Sequence, residues 1–151
     1  MLTSQEPGDP LHDAFLAHLE KVARIIGIVD PWRVVDTRNT GINPDAGAPY
    51  IDFEIISGGE KQASWGAPRQ NHQLESGQIT INFNVPVGEY QKAAGRYAWL
   101  LLEALRTDYS TFEAAGRTVT LFEPLRMGGG DKKGGLWTES MAIAYELYHV
   151  G

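Results

Sequence analysis

One stretch, residues 77–106, reads GQITINFNVPVGEYQKAAGRYAWLLLEALR and changes its hydrophobic period half-way. Ile79, Ile81, Phe83 and Val85 alternate with Thr80, Asn82 and Asn84, the period of a strand with one buried face. Pro86 and Gly88 end that run. From Tyr90 the apolar residues recur at Ala94, Tyr97, Ala98, Leu101 and Leu105, which is one face of an α-helix. An amphipathic strand followed directly by an amphipathic helix constrains the chain to a fold that layers helix on sheet.

The opposite stripe of that helix carries Lys92, Arg96, Trp99, Glu103 and Arg106. At about 100° per residue, Trp99 falls near the middle of this polar stripe. Two readings compete. Either a loop of the same chain folds over the indole, or the ring lies along its Lys and Arg neighbours, as single apolar surface residues often do. Alternatively another chain covers it, because Trp and Arg together are typical interface anchors. The second reading makes Trp99, Arg96, Lys92 and Glu103 a subunit interface.

Elsewhere, Asp9 and Pro10 read as the N-cap and first position of an N-terminal helix. Leu11, Phe15, Leu19, Val22 and Ile26 form its buried stripe, and Gly27 ends it. The second helix is its expected partner. Residues 1–9 are polar and expected to be flexible. Residues 32–36 are β-prone and lead into a polar loop, after which YIDFEII reads as a strand with Ile51, Phe53 and Ile55 buried.

Residues 57–76, SGGEKQASWGAPRQNHQLES, are long for a bare connection. They suit a functional arm or a hairpin reaching past the sheet, with Trp65 and Arg69 available for contact; a mobile surface loop tethered by one aromatic fits equally. Residues 118–123 and 139–149 supply two more strands, and MGGGDKKGG between them makes a hairpin with a flexible tip. The expected fold is α+β, a mainly antiparallel sheet of about four to five strands with two helices packed on one face. It forms a single domain over 1–151.

Chemistry is scarce. The 151 residues include no cysteine, which excludes disulfides, thiol nucleophiles and thiolate metal sites. A formal net charge of −6 argues against general nucleic-acid binding. MLTSQEPGDP lacks the features of a signal peptide, and no apolar run near the start is long enough to span a membrane. The chain is therefore expected in the cytoplasm before it is assembled. The glycine run lacks the Gly-Lys-Ser/Thr order of a P-loop, and there is no G-x-S-x-G or H-E-x-x-H. Asp52 and Glu54 read as the polar side of a strand, and His12, His18, His72 and His149 as solvated or capping residues. No catalytic residue, cofactor or metal site is expected, and the chain is read as a non-enzyme.

The order of elements resembles the tail terminator proteins of long-tailed phages and gene-transfer-agent particles, also called tail completion or minor tail proteins. The resemblance rests on APYIDFEII after a polar loop, on the long unit from GGEKQASWGAPRQNHQLES through YAWLLLEAL, and on the closing GGLWTESMAIAYELY. It implies a homo-oligomeric ring, in that family usually a hexamer, on the head-proximal end of the tail tube. Such a ring stops tube polymerisation and joins the tube to the neck. The implied partners are the tail tube protein and a neck or head-completion protein, with DNA passing through without specific binding and no membrane involved. On this reading Trp65, Arg69, Arg126, Asp131, Lys132 and Lys133 lie in loops that contact tail or neck. Another head–tail joining or tail-tube component is the near alternative, and a small phosphate- or nucleotide-binding domain using residues 128–135 the distant one.

Overall fold

The computed structural model describes residues 10–29, 32–36, 48–62, 72–86, 91–132 and 136–150. Asp9, Trp65, Arg69 and Lys133 lie outside them, as do the expected loose start and the tip of the 57–76 segment. Helix α1 (Pro10–Ile25) precedes strands β1 (Tyr50–Gln62) and β2 (His72–Pro86). Helix α2 (Gln91–Arg106) is followed by β3 (Thr111–Ala114), β4 (Arg117–Lys132) and β5 (Leu136–Val150). The five strands form one sheet in the order β1-β2-β5-β4-β3, and every neighbouring pair is antiparallel.

Helix α1 ends as a Gly at this position dictates. Gly27 takes φ +88°, letting the Gly27 N–H reach the Arg24 carbonyl at 3.2 Å and the Ile28 N–H reach Ala23 at 2.9 Å. These bonds satisfy carbonyls that the helix leaves without partners. Ile26, expected on the helix stripe, therefore sits in the terminating turn and is half-buried.

Alternation places Ile51, Phe53 and Ile55, Ile79 to Val85, Val119 and Leu121, and Met141 to Leu147 on one side of the sheet, where both helices cover them. Against expectation, α1 packs mainly on the sheet and not on α2. Phe15 meets Phe53 edge-on at 5.0 Å and lies 5.6 Å from Phe112. Aromatic contacts of this kind add to area burial and hold the helix over β1 and β3. Helix α2 lies over β4, β5 and β2 through Ala94, Ala98, Leu101 and Leu105.

Two expectations about strands are corrected, and for 57–76 the structure takes the hairpin alternative as far as the described residues run. Residues 32–36 make a single parallel bridge, Val34 with Ile51, and no strand. Strand β3 was not anticipated; its signal is Ala115-Gly116, where both residues adopt positive φ, 52° and 77°, in a two-residue hairpin turn. The segment 57–76 and the glycine run are also more regular than their composition suggests. Strands β1 and β2 stay paired out to Gln62 opposite Gln73, and β4 and β5 out to Lys132 opposite Leu136. Composition misleads here because ladder pairing satisfies backbone groups whatever the side chains.

Three register shifts absorb the misfit. The β1–β2 register shifts between Ser57 and Glu60, and β4 shifts on either side of Leu125 and Arg126. Glu123 and Gly128 take φ 53° and 84° there. Beyond the last of these shifts, Gly128 to Gly130 run inside β4.

Candidate functional site

Helix α2 shows its outward face much as the periodicity requires. Lys92, Arg96, Trp99 and Arg106 are exposed, and Trp99 keeps 53% of its surface in contact with solvent. Arg106 turns back to hold Glu103 through two contacts of 2.6 and 2.7 Å. Glu103 is thus engaged within its own helix. No carboxylate among the described residues pairs with Lys92 or Arg96. Among the described residues, then, a large aromatic is left half exposed beside two cations that no described carboxylate pairs with.

Arg126 is in β4 and not in a loop. It points to the helix side of the sheet, where its guanidinium donates to Glu139 at 3.2 Å and lies close to Gly95 of α2. Asp131 and Lys132 also belong to β4, at its hairpin end. The structure thus separates the expected contact residues: Arg126 belongs to the body beside α2, whereas Asp131 and Lys132 sit at a pole.

Neither α1 nor α2 covers the other face of the sheet. Residues paired across an antiparallel ladder share a face, so Ile56, Gln78, Ala144 and Phe122 form one row across β1, β2, β5 and β4. Glu54, Thr80, Ala142 and Leu125 form the next. A third row is tied by hydrogen bonds: Asn82 Nδ2 donates to Asp52 Oδ1 at 2.9 Å, and Ser140 Oγ donates to Asn82 Oδ1 at 2.7 Å. In the fourth, Thr138 Oγ1 donates to Asn84 Oδ1 at 2.8 Å. These cross-strand bonds lock register, and the fourth row is itself buried, with Asn84 and Thr138 shielded from solvent, so the face is open only towards the Ile56 and Glu54 rows.

A depression of about 440 Å³ opens on this face between Ile56 and Phe122, floored by Gly77, Gln78 and Ala144 and bordered by Glu146. Strands 4.7–4.9 Å apart set its walls about 14 Å apart. Ile56 is 52% exposed and Leu125 64%. These residues escaped the sequence reading, although one signal was there. Ile55-Ile56 and Leu121-Phe122 are consecutive apolar pairs, and in a strand the second of each pair must face away from the core.

Charge is divided between the two outer surfaces. Asp52, Glu54, Glu113 and Glu146 face the open side by register, and among the described side chains no Lys or Arg joins them. Burial first, and the Asp52 carboxylate second, push the neighbouring Tyr50 hydroxyl above its ordinary value of 10.0. Among the described residues the open sheet thus carries carboxylates on the side opposite the cations of α2.

The two long hairpins point to opposite ends. Strand β2 pairs its His72 end with Val150 and its Pro86 end with Leu136, so the β1–β2 turn and the β4–β5 turn lie at opposite poles of the sheet. Fifteen residues of β2 span about 50 Å, whereas a 16-residue helix covers about 24 Å. The strands thus extend well past the helical layer.

Two histidines expected at the surface are buried. His12 lies 4.6 Å from the Phe53 ring with its Nε2 3.8 Å from Asp36. His18 stacks on Phe112 at 5.1 Å and its Nε2 lies 2.9 Å from the Tyr109 carbonyl oxygen, to which it donates in the tautomer that protonates Nε2. Desolvation, with a smaller contribution from Lys21, lowers the pKa of His18 below 6.5 against the opposing effect of that hydrogen bond. Both occupy the helix–sheet seam. The side chains of His72 and His149 lie outside the described set. Among the described residues no cluster of three His, Asp or Glu could hold a metal, and no helix is long and apolar enough to cross a membrane.

No protein-family model matches the chain, and no curated protein sequence matches it. Among solved structures, one named only by a sequence identifier matches with TM-score 0.63 at 17% identity, over 93% of this chain and 95% of the other. That likeness shows the fold. A chain from the virion of a native gene transfer agent particle matches with TM-score 0.46 at 12% identity, over 92% and 95% of the two chains. A likeness that loose carries no inference about function.

Proposed function

We propose that this chain is a structural subunit of a phage-like tail. In this reading copies assemble as a ring that caps the head-proximal end of the tail tube, stops its growth and joins it to the neck. The observation that carries the reading is Trp99, half exposed beside Lys92 and Arg96, for which the described residues supply no carboxylate partner. An aromatic so placed gains little in a lone chain and much in an interface.

Three further features support it. The order of strands and helices in the sequence resembles tail terminators. The hairpins at opposite poles give a ring two distinct rims, one for the tube and one for the neck. The acidic open face would repel a passing nucleic acid if turned towards it and would take a basic protein surface if turned against one. No described constellation of acid, base and nucleophile supports catalysis, and we read the protein as a non-enzyme without a cofactor.

The test is capping. Purified protein added to growing tail tubes should fix their length, and Trp99→Ala should lose that effect, because truncating a buried anchor costs about 2 kcal/mol or more. Tubes that lengthen unchecked in the presence of the wild-type chain would contradict the reading. Indefinite tubes built by the purified chain itself would identify it as a tube subunit instead.

A further inference from the structure

We propose that the outward face of α2 on one copy docks on the open sheet face of a second copy, the Trp99 ring seated between Ile56 and Phe122 and Arg96 facing Glu146. The inference rests on the ring reading above and deepens it by naming the two surfaces that meet.

Charge selects the partner surface. Lys92 and Arg96 lack carboxylate partners among the described residues, and the open face offers Glu54 and Glu146 without a described cation beside them. Contact between two α2 helices would bring together two stripes that are mainly cationic, each offset only by Glu103, which Arg106 already holds, and like charges brought together across an interface oppose binding. Contact between two open faces would do the same with carboxylates. The unlike pairing brings the most opposite charge together.

Shape and spacing agree. The depression has apolar walls and a floor that combines the small Gly77 and Ala144 with Gln78, whose exposed side chain leans on Thr80 at 3.5 Å and must lie flat beneath the indole or swing aside. Its volume of about 440 Å³ lies within the range of roughly 300–1,000 Å³ in which pockets hold organic groups. Glu146 is two residues along β5 from Ala144, about 7 Å from the centre of the floor. On a helix, residues three apart such as Arg96 and Trp99 have Cβ atoms about 5–6 Å apart. With Trp99 seated, Arg96 therefore reaches Glu146.

The two surfaces lie on opposite sides of one sheet, so each copy donates one and accepts on the other. A contact between unlike surfaces propagates from copy to copy and closes into a ring when the rotation per step allows.

The experiment is a charge exchange read by native mass against concentration. Arg96→Glu alone and Glu146→Arg alone should each weaken assembly by tenfold or more, and the double variant should recover it, since the reversed charges meet again between copies. Trp99→Ala should weaken it by roughly 30-fold or more. Mixing Trp99→Ala chains with Phe122→Ser chains leaves one intact contact per pair and should give dimers. Circular dichroism of each variant verifies that it is folded. Wild-type rings with all variants assembling normally would overturn this contact and leave the ring reading standing. Loss in both single variants without recovery in the double would overturn the pairing of Arg96 with Glu146. A wild-type chain that stays monomeric at every concentration and beside tail tubes would overturn both.

Discussion

The two helices have the same length and opposite uses. Helix α1 buries seven residues, including Phe15 and both helical histidines, whereas α2 buries four, two of them alanines. The outward side of α1 mixes Asp13, Glu20, Lys21 and Arg24, an ordinary solvated face. That of α2 carries Trp99 with Lys92 and Arg96. The difference teaches that α1 is spent on the fold while α2 is only half used by its own chain.

Substitutions on either side of this division should have unequal effects. The largest expected effect is Phe15→Ala, which empties the seam between α1 and the sheet and should cost about 3–5 kcal/mol in urea unfolding. A cost near zero would mean that α1 is not the structural helix. Next comes Gly77→Ala. A Cβ there would run into the Ile56 carbonyl oxygen and stand 2.7 Å from the Tyr145 ring, an overpacking expected to cost about 1–3 kcal/mol. Its absence would show that the covered side of the sheet yields more easily than its packing implies.

A smaller effect follows pH. Because the folded state holds the pKa of His18 below 6.5, the unfolded chain binds the proton more readily. The contribution of the neutral ring is full above about pH 6.5 and is lost as pH falls through the folded value. Thermal melts between pH 7 and 5 should show falling stability, less steeply in His18→Phe; identical slopes would remove His18 as the cause. The smallest effect belongs to Leu125→Ser on the open face, expected within about 0.5 kcal/mol for the isolated chain. A loss well above that would show that the open face is packed within one copy.

Much of this division was readable in the sequence. The 3.6-residue period placed Trp99 on the outer stripe of α2, and the period of two identified the buried side of β1, β2 and β5. Long strands were harder to read. EKQ at the end of β1 and the glycines of β4 carry no alternation, and only pairing with neighbouring backbone shows that the ladder continues through them. His18 looked solvated because nothing in its helix announces Phe112 and Tyr109, which arrive from about 90 residues downstream. The open-face depression is likewise a product of topology: Ile56 and Phe122 are 66 positions apart in the chain and share a row only because β2 and β5 lie between them.

The most direct test of the central claim, that the unused face of α2 meets another copy, is the native mass of the wild-type chain across concentration, with electron micrographs of the same samples. Closed rings of one size are expected, formed by the chain alone or on contact with tail tubes. A monomer at every concentration, indifferent to tubes, would contradict it.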